Sequence, residues 1–234
     1  MSQNSTAPKL SDYQHPEVRA AAARITDHAA NSMQKLENIF YYVRDEIKFG
    51  MPQRWDKVKA SETIACKTGY CNTKATLFHA LCIAAGIPSR IHTGLIDLQI
   101  MDGVIPGAAL QFAPKTGCHS WMEVLIGDQW HSIDSYINDL AFYRGALKLL
   151  HASGRKTGYS ISELDAPSSC EFNFGQKGFV HMGAVVEDHG VWDDFSTYMA
   201  SDRYIPMPGL MLITFPALVW IAKRNAESIR AHGE

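Results

Sequence analysis

Three residues of the sequence carry the side chains that covalent acyl transfer requires. Cys71 follows Gly69 and Tyr70 at the head of an apolar helical run, His119 begins the stretch HSWMEV, and Asp134 ends the stretch WHSID. In such chemistry a thiol attacks a carbonyl carbon, an imidazole takes and returns the proton, and a carboxylate steadies the imidazole. The function therefore depends on whether the fold brings these three side chains together.

The turn between the second and third stretches predicts how His119 and Asp134 lie. Gly127-Asp128 suits a two-residue hairpin turn, and that register places Trp121 opposite Asp134. His119 is two residues from Trp121, so it shares a face with Asp134 at the diagonal position. Diagonal Cβ atoms are roughly 7 Å apart or somewhat closer, which long side chains can bridge. We therefore expect a hydrogen bond between the imidazole and the carboxylate.

Cys71 to Ala85 is the clearest predicted helix, and it places the thiol at its amino end. Small and apolar side chains form one stripe along it, and Gly86 followed by Pro88 marks the stop. Unpaired backbone N–H groups and the positive end of the helix dipole favour a thiolate at Cys71. The same N–H groups can stabilise the oxyanion of a tetrahedral intermediate.

Apolar periodicity along the rest of the chain predicts a mixture of helices and strands. Residues 99–117 hold three glycines and two prolines, which predicts a long loop of the kind that often forms a lid or substrate wall. No linker or repeat divides the chain, so we expect one domain over residues 1–234. Further helices are expected at residues 16–28, 31–47, 138–151, 191–200 and 210–232, and strands at residues 89–98, 119–126, 129–136 and within 171–186.

Composition limits the partners and the compartment. The 234 residues carry a net charge of -2 with no basic run, which predicts neither a nucleic-acid nor a membrane partner. The five cysteines show no disulfide spacing and favour thiols in a reducing cytoplasm. The apolar window at residues 206–222 is slightly short for a membrane span, so a buried helix is expected. The sequence has neither paired metal-ligand spacings nor phosphate-binding loops, and we expect no metal and no cofactor.

The three motifs together resemble the transglutaminase-like superfamily. The resemblance covers about Lys57 to Tyr136 and includes the helix ending AAGIPSR after the cysteine, the HxWxEV pattern and the WxxID pattern, in the family order. It implies an α+β, papain-like core in which the nucleophile helix packs on an antiparallel sheet or barrel. It also implies Cys71 as nucleophile, His119 as general base and acid, and Asp134 as the orienting carboxylate.

The chain also departs from the family pattern. Ser135 follows the aspartate where the family often has proline, and no acidic cluster resembles the calcium sites of animal transglutaminases. Residues from about 137 to 234 form an extension that is atypical of the family. Protein cross-linking is therefore not the expected activity.

Three further residues are candidates for the oxyanion site or the substrate wall. Family members use a polar or indole N–H donor upstream of the cysteine, and Gln53 or Trp55 can serve, the alternatives being a surface glutamine and a tryptophan at the core edge. Trp121 shares a face with His119 and Asp134, so it either walls the acyl pocket or packs within the sheet.

The expected activity is acyl transfer through a thioester on Cys71. Hydrolysis or transfer at an amide bond of a peptide or small amide-containing molecule is the first hypothesis. The second is an acyltransferase or cyclase that takes an acyl thioester from a coenzyme or a carrier protein. The third is a binding protein that keeps the fold without turnover. The motifs do not address the oligomeric state.

Overall fold

The computed structural model describes residues 9–173, 179–206 and 209–234. A π-helical turn (Tyr42–Glu46) continues the second helix, and 3-10 turns cover Leu98–Met101 and Met182–Ala184. The helices are α1 (Pro16–Thr26), α2 (Ser32–Tyr41), α3 (Ala60–Cys66), α4 (Cys71–Ala84), α5 (Gly107–Leu110), α6 (Leu140–Ala152), α7 (Phe195–Met199) and α8 (Gly209–Ala231). The strands are β1 (Lys48–Phe49), β2 (Thr68–Gly69), β3 (Ser89–Asp97), β4 (Thr116–Ile126), β5 (Gln129–Ile133), β6 (Thr157–Gly158), β7 (Ile161–Ser162) and β8 (Val185–Trp192).

An antiparallel sheet packs against the helix that begins at Cys71. Its four strands lie in the order β5-β4-β3-β8, and each neighbouring pair is antiparallel. Helix α4 packs against β3 and β4 and also against α1, α2 and α3. This arrangement confirms the predicted α+β fold, with the cysteine helix on an antiparallel sheet and additional helices towards the C-terminus.

The hairpin register predicted from the sequence is confirmed over five residue pairs. Ile126 pairs with Gln129 across a two-residue turn in which Gly127 has a φ of +59°, and Glu123 pairs with Ser132. The ladder ends at the pair Met122 and Ile133. The second strand is therefore shorter than the predicted 129–136, and Asp134 lies just beyond it.

Helix α4 forms where the sequence places it, but it is buried on all sides. Every residue from Cys71 to Cys82 is buried, whereas a single stripe was expected. Gly86 ends the helix with a φ of +76°, and the Ile87 N–H closes the last turn on the Cys82 carbonyl at 2.8 Å. The polar side chains of α4 consequently need partners inside the protein.

Two predicted elements differ in type or length. The helix expected at residues 191–200 is only Phe195–Met199, because Val191 and Trp192 pair with β3 as the end of β8. The helix expected at 31–47 ends as an α-helix at Tyr41 and continues as the π-helical turn. Of the strands expected within 171–186, the structure shows only the start of β8, and residues 174–178 lie outside the described part of the chain.

The C-terminal helix packs closely on α6. Gly145 of α6 makes this approach feasible, since a Cβ there would lie 1.8 Å from the Ile229 carbonyl oxygen. Ala222, Ala226 and Ile229 belong to the same buried cluster as α4. None of the described helices is long and apolar enough to cross a membrane. One domain over residues 1–234 stays a prediction.

Lys74 anchors helix α4 to the neighbouring segments. Its ammonium group is fully buried and donates to the carbonyl oxygens of Ile47 at 2.7 Å, Ile137 at 2.9 Å and Arg44 at 3.3 Å. Burial lowers the pKa of Lys74 to about 7, and the charge of Asp139 opposes this shift. Two of these carbonyls belong to the π-helical turn and its end, and the third lies between β5 and α6, so the three bonds fix the rotation and height of α4.

Replacing Lys74 tests this anchoring. Lys74→Met keeps the aliphatic stem but leaves three buried carbonyls without a donor, so we expect the free energy of unfolding to fall by about 2–4 kcal/mol. Urea denaturation measures the loss, and Lys223→Met, on the exposed side of α8, is the matched control. Equal stability of the two variants would show that Lys74 does not anchor the helix.

Candidate active site

Cys71 lies at the amino end of α4 with its thiol turned inward. The residue is 7% exposed, and its sulfur is 3.5 Å from Oδ1 of Asn72. A backbone hydrogen bond from Ser120 of β4 also reaches the sulfur. Asn72 completes the link between the helix and β4, since its Oδ1 accepts the Ser120 hydroxyl proton at 3.0 Å. The helix start and the His119 strand are thus locked together beside the thiol.

A buried carboxylate that the sequence did not single out stands next to the thiol. Asp56 accepts hydrogen bonds from the hydroxyl of Tyr70, from Nδ2 of Asn72 at 2.8 Å and from the hydroxyl of Tyr204 at 2.7 Å. Tyr70 and Asn72 flank Cys71 in sequence. Asp56 therefore holds the two neighbours of Cys71, and its own pKa is raised by burial despite these donors.

Burial and charge together keep the thiol protonated. Burial raises the pKa of Cys71, the negative charge of Asp56 raises it further, and the backbone hydrogen bonds from Ser120 and Asn72 lower it by less. The expectation that the helix end favours a thiolate is therefore wrong for the unliganded protein. Its physical reason is that the loss of hydration outweighs the helix dipole.

His119 is fully buried and has no hydrogen bond within the described residues. Neither ring nitrogen has a partner there, and the ring stacks against Trp121 at 5.8 Å and lies 5.2 Å from the ring of His181, measured between centroids. Burial, and then the neighbouring His181, lower the pKa of His119 well below its usual range. The imidazole is consequently neutral at rest, as a general base must be.

Asp134 does not hydrogen-bond to His119. Because β5 ends at Ile133, the carboxylate leaves the sheet and accepts three backbone N–H groups, from Val180 at 2.9 Å, His181 at 2.7 Å and Met182 at 3.0 Å. Burial raises the pKa of Asp134 to about 7, and these N–H groups lower it by less. The hydrogen bond expected from the hairpin register is thus replaced by bonds to the segment that carries His181.

Cys71, His119 and His181 line one pocket of about 120 Å³. The rest of its lining is almost entirely apolar, and none of the described residues contributes an Asp, Glu, Lys or Arg side chain to it. The segment predicted as a lid or wall, residues 99–117, supplies one side of the pocket, including Ile100, Met101 and Leu110. A thiol and an imidazole in the lining of a largely apolar cavity suit attack on the carbonyl of an apolar acyl group.

The three secondary candidates lie in different places. Gln53 is exposed and borders a separate pocket, so the structure does not bring it to Cys71. Trp55 lines the cysteine pocket, but its indole N–H hydrogen-bonds to Asp56. Trp121 is buried with an unpartnered indole N–H and packs between His119 and His92, outside the described lining of the pocket. Of the three candidates, only Trp55 is among the described residues that line the pocket of Cys71.

Asp56 and His181 were missed from the sequence for a simple reason. Neither stands at a recognisable spacing from Cys71 or His119, and both reach the site through contacts between distant segments. Asp56 directly follows Trp55, which is a candidate for the oxyanion site. An isolated aspartate before a helix is ordinarily a surface residue, so the sequence does not single it out. The part of the chain that the structure describes contains no group of three His, Cys, Asp or Glu side chains able to hold a metal ion.

The fold and site define a class of protein, and comparison with known families agrees. A family model described as the transglutaminase-like superfamily matches residues 19–135, half of the chain. The chain belongs to the transglutaminase-like superfamily. No curated protein matches it.

Two solved structures are similar to parts of the chain. One is a provisionally assigned cysteine protease from Cytophaga hutchinsonii, with 20% identity, a TM-score of 0.42, and coverage of 53% of this chain and 38% of that one. The other is a provisionally assigned protease from Parabacteroides distasonis, with 16% identity, a TM-score of 0.40, and coverage of 58% and 26%. The chain thus spans well under half the length of either, and the family assignment rests on the family model.

The charge of Asp56 gives a direct test of the electrostatics at Cys71. Asp56→Asn removes a negative charge but keeps an acceptor for Tyr70, so thiolate formation at Cys71 becomes easier. We expect alkylation of Cys71 by iodoacetamide at pH 8 to accelerate about threefold to tenfold. Peptide mass spectrometry reads the rate, with the exposed Cys66 of the same molecule as internal control. An unchanged ratio of the two rates would contradict the role given to Asp56.

Proposed function

We propose that this protein is a thiol-dependent acyl-transfer enzyme in which Cys71 is the nucleophile and His119 the general base and acid. The observation that carries the proposal is that the thiol of Cys71 and the imidazole of His119, which has no partner among the described residues, line the same pocket. Membership of the transglutaminase-like superfamily supports thiol-dependent chemistry on amide bonds in general. The geometry of this chain supports the finer steps that follow.

The catalytic cycle starts from two neutral groups. As Sγ of Cys71 bonds to the carbonyl carbon, its proton passes to a ring nitrogen of His119, which leaves an oxyanion and an imidazolium. The carbon–nitrogen bond then breaks, and the departing amine takes the proton from His119. Water, or another nucleophile, attacks the thioester and gives its proton to His119, which returns it to the thiol. The backbone N–H groups at the start of α4 stabilise the oxyanion.

The pocket lining favours an apolar acyl group. The lining includes apolar side chains such as Ile96, Ile100, Leu110 and Phe215. Burying a hydrocarbon group of the substrate against them is favourable by about 25 cal/mol for each Å² removed from water. The described lining holds no charged group, so a charged side chain of the substrate would lose its hydration without gaining a partner. We therefore propose hydrolysis or transfer at the amide bond of an apolar acyl group, in a peptide or a small molecule.

The same lining supports a second candidate. Acyl thioesters of coenzymes or carrier proteins present a hydrocarbon chain next to a reactive carbonyl, and Cys71 can accept such an acyl group by thiol exchange. This makes an acyltransferase or cyclase the alternative function. A thiol and an imidazole that line one pocket favour catalysis over a binding protein without turnover.

The five free thiols also bear on the compartment. All five cysteines are unpaired in the structure. A reducing cytoplasm would keep them so, and we propose that location.

Trapping the acyl-enzyme distinguishes these functions. Incubation with panels of N-acyl amides, peptides and acyl thioesters should add an acyl mass to Cys71 in the wild type and none in Cys71→Ser. Cys66→Ser, at an exposed position outside the pocket, is the matched control and should acylate like the wild type. An adduct from amides identifies the first function, and an adduct from thioesters alone identifies the second. Turnover by Cys71→Ser at the wild-type rate would overturn both.

The pH dependence of turnover follows from the environment of His119. The imidazole must be neutral to accept the thiol proton, so activity falls as pH drops through its pKa. Because this pKa lies below the usual value of about 6.5, the acid limb of kcat/KM should be centred below pH 6.5. The measurement is kcat/KM against pH with a substrate from the panels, in the wild type and in Asp134→Asn, which removes the buried carboxyl with a pKa of about 7. An acid limb centred at or above pH 6.5 in Asp134→Asn would show that His119 is not the lowered-pKa base.

A further inference from the structure

We propose that Phe215, carried by the C-terminal helix α8, sets the length of the acyl chain that the pocket accepts. This inference rests on the proposed function, because it concerns the acyl group that becomes attached to Cys71. It defines the substrate class more closely, as an acyl chain that extends from Cys71 to the ring of Phe215 and no further. Phe215 determines specificity and takes no part in the bond changes at Cys71.

Three aromatic rings in the pocket lining form a continuous wall. Tyr70 directly precedes Cys71, and its ring lies 5.0 Å from the ring of Trp55 between centroids. The ring of Phe215 packs edge-on against Trp55, with 5.3 Å between centroids and an interplanar angle of 88°. Tyr70, Trp55 and Phe215 all line the pocket that holds Cys71. The wall therefore starts next to the thiol and ends at Phe215.

Asp56 and the local backbone hold this wall in place. The Asp56 carboxylate accepts hydrogen bonds from the Tyr70 hydroxyl and from the Trp55 indole N–H. Trp55 has a φ of +53°, a left-handed conformation that a bulky residue keeps only when its surroundings enforce it. Phe215 is itself buried. A wall fixed in this way resists displacement by a longer chain, so the limit on chain length is sharp.

The remaining lining gives a hydrocarbon chain its binding energy. Ile96, Ile100 and Leu110 contribute aliphatic surface, and so does Leu218, which lies three residues after Phe215 on α8. Each methylene that leaves water for such surface raises the affinity about fourfold. A methylene that must pass Phe215 gains no such contact and strains the packing instead. Affinity should therefore reach a maximum at one chain length.

A series of straight-chain 2-alkanones measures this chain length without any chemistry. These neutral ketones carry a carbonyl group near one end, and isothermal titration calorimetry gives their Kd. In the wild type we expect the affinity to rise about fourfold for each added methylene, reach a maximum and then fall. Phe215→Ala should move the maximum to chains about three to five carbons longer, since it removes hydrocarbon equivalent to several methylenes. Phe215→Trp should move the maximum to shorter chains.

The matched control is Phe112→Ala, the same exchange at a residue that is 88% exposed and outside the described lining of the pocket. It should leave the maximum unchanged. Phe215→Leu disturbs the packing of α8 less than Phe215→Ala and should give a smaller lengthening. The role of Phe215 is refuted by one common maximum in the wild type, Phe215→Leu and Phe215→Trp, and equally by a wild type that binds none of the ketones.

Acylation by straight-chain acyl thioesters separates this role from the proposed function. The rate of acyl addition to Cys71 should reach its maximum at the same chain lengths as ketone affinity, in the wild type and in each variant. If the wild type forms no adduct but the ketone maxima shift, the proposed function fails and Phe215 still limits the chain that binds. If adducts form with the same chain-length preference in every Phe215 variant, the proposed function stands and the role of Phe215 does not.

Discussion

The burial of helix α4 is the constraint on which the rest of the structure depends. The helix is buried on all sides from Cys71 to Cys82, so its polar groups must find partners inside the protein. Lys74 meets three carbonyls, and Asn72 bridges Asp56 to the strand that bears His119. These contacts fix the helix in rotation and depth and place the thiol of Cys71 against the sheet.

The same loss of hydration sets the chemistry. A buried thiol and a buried imidazole are both more stable uncharged, so the resting pair is neutral, unlike a thiolate–imidazolium pair. In the proposed mechanism, charge develops only when a carbonyl is present to accept the sulfur, and nearby dipoles then act strongly because the pocket lining is largely apolar.

Much of the fold was predictable because its signals are local. The turn at Gly127-Asp128 determines the register of β4 and β5, and Gly86 ends the helix that begins at Cys71. The positions of His119 and Cys71 at one site follow from these elements and the family resemblance. The start of the helix predicted at 191–200 is wrong, because Val191 and Trp192 pair with β3 and so belong to a strand.

The surroundings of the candidate site were not predictable in the same way. Whether Asp134 stays in the ladder depends on residues 180–182, nearly fifty positions away, whose N–H groups capture its carboxylate. Asp56 reaches Tyr204 across a still longer separation. Burial of charged groups is a property of the assembled core, and for that reason the protonation of Cys71 could not be read from its place at a helix end.

The ionisation of Cys71 in the free protein tests the central claim most directly. The ultraviolet absorbance of thiolate, followed against pH in the wild type and in Cys71→Ala, isolates the titration of this one thiol. The account predicts no difference between the two proteins at neutral pH, and a thiolate on Cys71 only in the alkaline range. A thiolate already present on Cys71 at pH 7 would contradict the neutral resting pair.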